Sequence, residues 1–292
     1  MTKKMAAVLL AGLAVPAAAL AQQKVDERRA AAADGVVAIE NASGSVRVLG
    51  WAKAEIWVTG SLGAGAEGIT LEGDSRRTDV EVEVERNPHG VRSEIEVHVP
   101  AGSRVEISTF DASIDVSDVS GEVKAESVNG SITVSGDARE VSVETVNGSL
   151  DVSGATARVS AETVNGSVTV KGVRSVVEAS TVNGSLSVAA GAVTRGELQT
   201  VSGTLRFEGD LAKGASLSAE SVSGAVEIAL PAGVAADFSV TTFSGAIQNG
   251  LGPAATSRSS HTAEKGAQFS TGGGGASVSV DTLSGAIVLS KR

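Results

Sequence analysis

Cysteine is absent from the 292 residues, which excludes a disulfide framework, a thiolate metal site and a lipid-modified cysteine. Tyrosine is absent too, and with 2 Trp and 5 Phe the aromatic share is 2%. Neither a thick globular core nor an aromatic platform for sugars is easily built from so little. Basic residues are in deficit, 24 Lys and Arg against 34 Asp and Glu, and that balance disfavours nucleic acid and anionic lipid as partners. The one long apolar run lies at the start, where "MTKK" supplies a cationic opening, "MAAVLLAGLAVPAAAL" an apolar segment and Ala19-Leu20-Ala21 a small-x-small cleavage signal. A membrane anchor needs about 20 apolar residues, and Pro16 and the polar "QQKVDERR" cut this run short. Residues 1–21 therefore read as a secretory signal peptide cleaved after Ala21. The expected mature chain is periplasmic or secreted, has no transmembrane segment, and carries 22 basic against 34 acidic residues, a formal net charge of −12.

What the chain does have is glycine, 35 of them, among abundant Val, Ser and Thr, the composition of thin, valine-packed β-structure. The stretch "VETVNGSLDVSG", Val143 to Gly154, recurs as "AESVNGSITVSG" from Ala125, "SAETVNGSVTVKG" from Ser160 and "EASTVNGSLSVAAG" from Glu178. Gly130, Gly148, Gly166 and Gly184 are spaced by 18 residues, Gly203 follows at 19, and Gly224 and Gly245 at 21 each. Ala112 stands one step before Gly130, Gly285 lies 40 residues after Gly245, and Gly44 marks an early copy. A fixed period near 20 residues marks units that bury their apolar faces only by stacking on one another.

Each unit reads strand, turn, strand, turn, and two architectures fit. In an antiparallel meander or sandwich of Asn-Gly hairpins, Asn147-Gly148 is a two-residue loop and Val146 faces away from Val141, Val143 and Leu150. The residue before the turn is apolar in every copy: Val128, Val146, Val164, Val182, Val201, Val222, Phe243 and Leu283. Left outside, these would form a patch that soluble monomers rarely tolerate. A solenoid corner, with Asn or Gly in a left-handed conformation, would break the two-residue parity and turn them inward. The expectation is thus an all-β, single-domain β-solenoid with coils of about 18–21 residues paired in parallel at ~4.8 Å; the hairpin meander is the alternative. Residues 22–35 form a linker, 36–100 a strand-rich N-terminal part, 101–249 the regular repeats, 250–275 a Gly/Ser-rich insertion and 276–292 a C-terminal capping repeat.

The tandem "VNGS" units, "VHVPAGSRVEIS" at Val97 to Ser108, "IALPAG" at Ile228 to Gly233 and the closing "GGGGASVSVDTLSGAIVLS" resemble the DUF4097 family of β-strand-repeat proteins, whose members are often called adhesins. The resemblance covers most of the chain from about Val36. It implies an envelope-associated β-solenoid with no established catalytic residues, some relatives being linked to envelope stress systems.

Catalytic constellations are thin. His89, His98 and His261 fall in a turn, a strand and the insertion without ligand spacing, which leaves structural or solvated roles; no nucleophile-elbow or P-loop pattern occurs, and the many serines sit in turns. Three residues before each Asn position runs a line of Glu126, Glu144 and Glu162, then Ser180, Gln199, Glu220, Thr241 and Asp281. Like carboxylates at strand spacing repel by about 1–3 kcal/mol per neighbour. Either a Ca²⁺ bridges Glu126, Glu144 and Glu162, or solvent screening and splayed rotamers relieve them. The turn pairs Asn129-Gly130, Asn147-Gly148, Asn165-Gly166 and Asn183-Gly184 form a structural ladder in which stacked amides hydrogen-bond one another, although a binding role is open to them. Each "NGS" also matches the N-glycosylation triplet, but turn geometry explains its regularity. No other cofactor is expected. Such a chain suits a noncatalytic extracytoplasmic solenoid that binds envelope glycan or a protein partner through repeated groups. The alternatives are a polysaccharide-active enzyme on a β-helix scaffold, and a structural spacer or envelope-stress component.

Overall fold

One coil begins at Glu140. Along Glu140–Asn147 the side chains of Val141, Val143 and Thr145 turn inward, the chain bends at Gly148-Ser149, and Leu150–Ser153 runs back with Leu150 and Val152 facing them. After a second bend, Arg158–Asn165 lies over Glu140–Asn147 in parallel register, Glu144 opposite Glu162 and Asn147 opposite Asn165. Leu150–Ser153 pairs in parallel with Val168–Lys171 in the same way. Repetition builds two parallel sheets back to back, one of long strands and one of short, around a thin core of Val, Ala, Ile and Leu. Parallel pairing with both inner faces covered is what a crossover of this length permits, and it excludes the hairpin meander for the repeats.

The computed structural model describes residues 23–63, 65–85, 90–257 and 265–292. Its 23 strands belong to one hydrogen-bonded network, and no helix occurs among the described residues. The protein is an all-β solenoid. The expected signal peptide at 1–21 and part of the Gly/Ser-rich segment, 258–264, lie outside the described residues. Where the period grows from 18 to 19 and 21 residues, the extra residues sit at the second corner, inside the continuous strands Leu186–Ser202 and Leu205–Ser223, whose pairing shifts between Ala189 and Ala192 and between Val193 and Arg195. The Asn-Gly corner keeps its register throughout.

Two expectations about that corner are corrected. The apolar residue before the turn does not point inward: Val146 and Val164 are each 40% exposed, Phe243 52% and Leu283 56%. Strand alternation runs unbroken through Val146 and breaks only at Asn147, which is exposed beside it, so the inward place belongs to Thr145, which is buried. Its hydroxyl has a partner there. Thr145 Oγ1 donates to the Gly130 carbonyl at 3.1 Å, Thr163 to Gly148 at 3.1 Å and Thr181 to Gly166 at 3.0 Å, each reaching the corner of the coil before. Nor is a left-handed residue the rule at this corner: Asn129, Asn147, Asn165, Gly130, Gly148 and Gly166 all lack a positive φ, whereas Gly44, Gly184 and Gly203, at +120°, +158° and +135°, have one. Glycine is required there by close approach. A Cβ on Gly148 would sit 2.1 Å from the Gly130 carbonyl oxygen, and one on Gly166 1.9 Å from that of Gly148.

Both ends of the stack finish in antiparallel strands. At the N-terminal end Ala66–Gly73 pairs with Arg77–Val84 on the long-strand sheet, while on the other sheet Glu55–Leu62 pairs with Ser93–Pro100 and is itself edged by Gln23–Ala30. The charged sequence QKVDERRA on that outermost strand discourages edge-to-edge pairing. At the C-terminal end the chain overshoots and returns. Ala236–Ser244 is edged by the antiparallel Lys265–Thr271, and then Ala276–Ser284 slots between Ala236–Ser244 and 216–223. Gly272, Gly273, Gly274 and Gly275, with φ of +57°, +86°, +78° and +143°, carry the chain over the start of Ala236–Ser244 in conformations that L side chains resist. Truncation after Gly275 removes the coil that joins residues 236–249 to the stack. Limited proteolysis of that variant is expected to cut from Ala236 onward while sparing residues 104–223.

Candidate functional site

The parity correction places three columns side by side on the outer face of the long-strand sheet, next to the Asn-Gly corner. The middle column is apolar: Phe110, Val128, Val146, Val164, Val182, Val201, Val222, Leu283 and Phe243 in stack order, all of them exposed except the half-buried Val128. Toward the C-terminal end it floors a groove of about 550 Å³ lined by Val182, Val201, Val222, Leu283 and Phe243 together with Gln199, Glu220 and Asp281. Smaller hollows at Val128 and Val146, and at Val84 and Phe110, continue it toward the N-terminal end.

The second column holds the acidic line. Glu126, Glu144, Glu162, Ser180, Gln199 and Glu220 follow in register, but Asp281 comes next and Thr241 last, because the final coil is inserted between those of Glu220 and Thr241. The carboxylates line up without converging, and among the described residues no group of three or more His, Cys, Asp or Glu is placed to hold a metal ion. Lys124, one outward position before Glu126, relieves part of the repulsion with its Nζ 2.7 Å from Glu126 Oε1. That hydrogen bond, aided by the charges of Glu126, Glu106 and Glu144, holds the ammonium above the usual lysine pKa. Glu144 and Glu162 are solvent-exposed and Glu126 has a lysine counter-charge, and a melt with and without the cation separates screening from a bridging Ca²⁺. Millimolar Ca²⁺ is expected to leave the melting temperature unmoved, and Glu144→Gln to raise it slightly by removing like-charge neighbours; a Ca²⁺-dependent rise lost in Glu144→Gln would instead assign a cation to this line.

The third column is the amide ladder. Asn147 Nδ2 donates to Asn129 Oδ1 at 2.8 Å, Asn165 to Asn147 at 2.9 Å and Asn183 to Asn165 at 3.0 Å. Asn147, Asn165 and Asn183 each spend one amide hydrogen on the neighbour and keep a second, while Asn129 only accepts within the ladder. The glycines beside them, Gly130, Gly148, Gly166 and Gly184, present no side chain and serve the stacking described above.

The structure also gathers residues that sequence reasoning left apart. On the outside of the other sheet, at its N-terminal end, the rings of Trp51, Trp57 and His98 form a triangle, the His98 ring 5.0 Å from each indole and the two indoles stacked at 6.1 Å, with His98 Nε2 2.8 Å from Glu96 Oε1. Arg28 lies over Trp57 and Lys53 over Trp51, each 4.4 Å from the ring centre. This cluster glues four strand segments together across their outer surface. Only the antiparallel register of Glu55–Leu62, invisible in the local pattern, brings Trp57 opposite His98. His89 and His261 lie outside the described residues.

The sequence profile of the Toastrack DUF4097 family matches residues 64–290. The chain belongs to this family. Among solved structures this Toastrack chain is similar to a "putative adhesin" from Bacteroides fragilis, at 9% identity over 94% of this chain and 99% of the other with a TM-score of 0.42. It is also similar to a "putative adhesin" from Parabacteroides distasonis, at 8% identity over 92% and 97% with a TM-score of 0.40, and to a "putative cell adhesion protein" from Clostridium sporogenes, at 11% identity over 92% and 100% with a TM-score of 0.23. No curated protein matches the chain.

Proposed function

We propose that this Toastrack chain is a noncatalytic binding solenoid that works outside the cytoplasm, with the apolar ladder and its acidic and amide margins as its binding face. The observation that carries the reading is the ladder itself: a column of side chains from Phe110 to Phe243, with apolar residues presented to solvent in successive coils, where soluble monomers seldom keep a contiguous apolar patch. Constant spacing along one face suits avid contact with a repetitive macromolecule such as an envelope glycan or a protein partner. The test is an array of envelope components probed with the purified chain and with the double variant Val164→Asp, Val201→Asp. Binding without product formation, lost in the variant, is the expected result. Product formation would favour a polysaccharide-active enzyme, and silence from both proteins together with a monomeric wild type a structural spacer.

A further inference from the structure

Resting on that reading of the ladder as a binding face, we propose that its partner is a second copy of this chain, packed ladder against ladder with both stacks running the same way about a two-fold axis along the stack.

Spacing is the first argument. The ladder presents one side chain per coil, at the ~4.8 Å distance between paired strands. An α-helix laid along it repeats at about 5.4 Å per turn, and an extended strand shows same-side residues at about 6.6 Å, so either drifts out of step within a few coils. Another stack with the same strand spacing stays in step from Phe110 to Phe243. Extent is the second argument. The column is on the order of 40 Å long, and a strip about 15 Å wide around it would bury roughly 600 Å² per copy, or about 1,200 Å² in all, the lower bound for a specific interface.

Charge sets the orientation. Across the face the columns run Glu, Val, Asn in the direction of the strands. A two-fold along the stack swaps left for right, so Val meets Val and the acidic column of one copy lies over the amide column of the other. The two kinds of residue occur in the same coils: Glu126 with Asn129, Glu144 with Asn147, and Glu162 with Asn165. Each amide retains a hydrogen free for a carboxylate that accepts it. A two-fold across the stack would instead set acid on acid, Glu144 against Glu220 and Glu126 against Asp281, at a cost in like-charge repulsion. The parallel pair is therefore the arrangement in which spacing, apolar contact and charge agree.

The absence of cysteine makes the test clean. Sedimentation equilibrium of the full chain through the micromolar range should show a dimer, several-fold tighter when salt rises from about 50 mM to about 500 mM because two acidic copies repel less under screening. Val146→Cys alone, and Val222→Cys alone, should each give a disulfide-linked dimer under mild oxidation, and Ser142→Cys, outside the ladder on the same sheet, should not. Val182→Asp with Val222→Asp should be monomeric with an unchanged melt at low concentration. A wild-type chain monomeric at every salt overturns the proposal, and so does cross-linking that needs a mixture of the Val146→Cys and Val222→Cys proteins, since that is the antiparallel pair. If the wild type is monomeric yet loses array binding in Val164→Asp, Val201→Asp, the second copy is wrong while the binding face stands. A dimer that survives the ladder variants removes the ladder-to-ladder pair, and array binding that also survives Val164→Asp, Val201→Asp removes the binding face with it.

Discussion

Gly166→Ala is expected to destabilise the solenoid by about 3–5 kcal/mol, far more than an exposed Gly→Ala change usually costs. The added Cβ would lie 1.9 Å from the Gly148 carbonyl oxygen and 2.6 Å from its carbon, both backbone atoms of the adjacent coil. Neither has a side-chain torsion through which to yield. Relief requires the coils to part at the corner, which strains the Gly148 N–H to Asn165 carbonyl bond at 3.1 Å, the Thr163 hydroxyl bond to Gly148 at 3.1 Å and the Asn165 to Asn147 amide bond at 2.9 Å. Because a coil is held by its neighbours, opening one corner loosens the coils on both sides. A fall in melting temperature of roughly 6–20 °C follows for a chain of this size. Ser167→Ala, one residue on, removes only an exposed hydroxyl and should stay within about 0.5 kcal/mol of wild type. Equal melts for the two variants would mean that the corners do not touch.

That glycine shows which parts of the molecule were legible in the sequence. The 18-residue period announced parallel coils, and because side chains at equal phase must stack in such an array, the registers of Glu126, Glu144 and Glu162 and of the Asn column followed. The direction of each side chain at the corner did not. Whether a bend breaks the two-residue alternation one place earlier or later depends on which residue bends, and an Asn-Gly pair is compatible with a break before the Val or at the Asn. Burial of an apolar Val146 looked like the cheaper choice. The recurring Thr or Ser one place earlier was the missed signal: the hydroxyls of Thr145, Thr163 and Thr181 are offset inside by a corner carbonyl that accepts their proton, although those of Thr200, Ser221 and Thr282 are buried in the same column without a partner. Two features depend on contacts between distant segments and leave no local trace: the insertion of Ala276–Ser284 ahead of Ala236–Ser244, and the cluster formed by Trp51, His98 and Trp57. The four glycines at 272–275 pointed to an unusual turn without saying which strand it had to clear.

Val168→Asp is expected to unfold the repeats or nearly so, whereas Val164→Asp should leave the fold of the dilute protein intact. The two valines flank one corner and are chemically identical, so composition and propensity cannot separate them. Val168 is fully buried, paired in the short-strand sheet between Leu150 and Leu186 and facing a core that contains Val159 and Ala161. A carboxylate there finds no counter-charge and replaces dispersion contacts with a desolvated charge, for a loss of several kcal/mol, about 4 or more. Val164 projects into solvent on the ladder, where an aspartate stays hydrated beside Glu162 and costs about 1 kcal/mol or less through like-charge repulsion. Acid gives a second, independent readout. Burial at position 168 raises the aspartate's folded-state pKa above its unfolded value of about 3.9. The folded state then binds more protons than the unfolded state between those two values, so the stability of Val168→Asp should fall as pH rises through that window and recover as pH drops toward 4. Val164→Asp, solvated in both states, should show no such dependence beyond that of wild type. Melts of both variants at low protein concentration between about pH 4 and pH 7 decide the orientation of the corner: matched losses would return the apolar column to the core, and a large, acid-relieved loss confined to position 168 keeps the ladder on the surface.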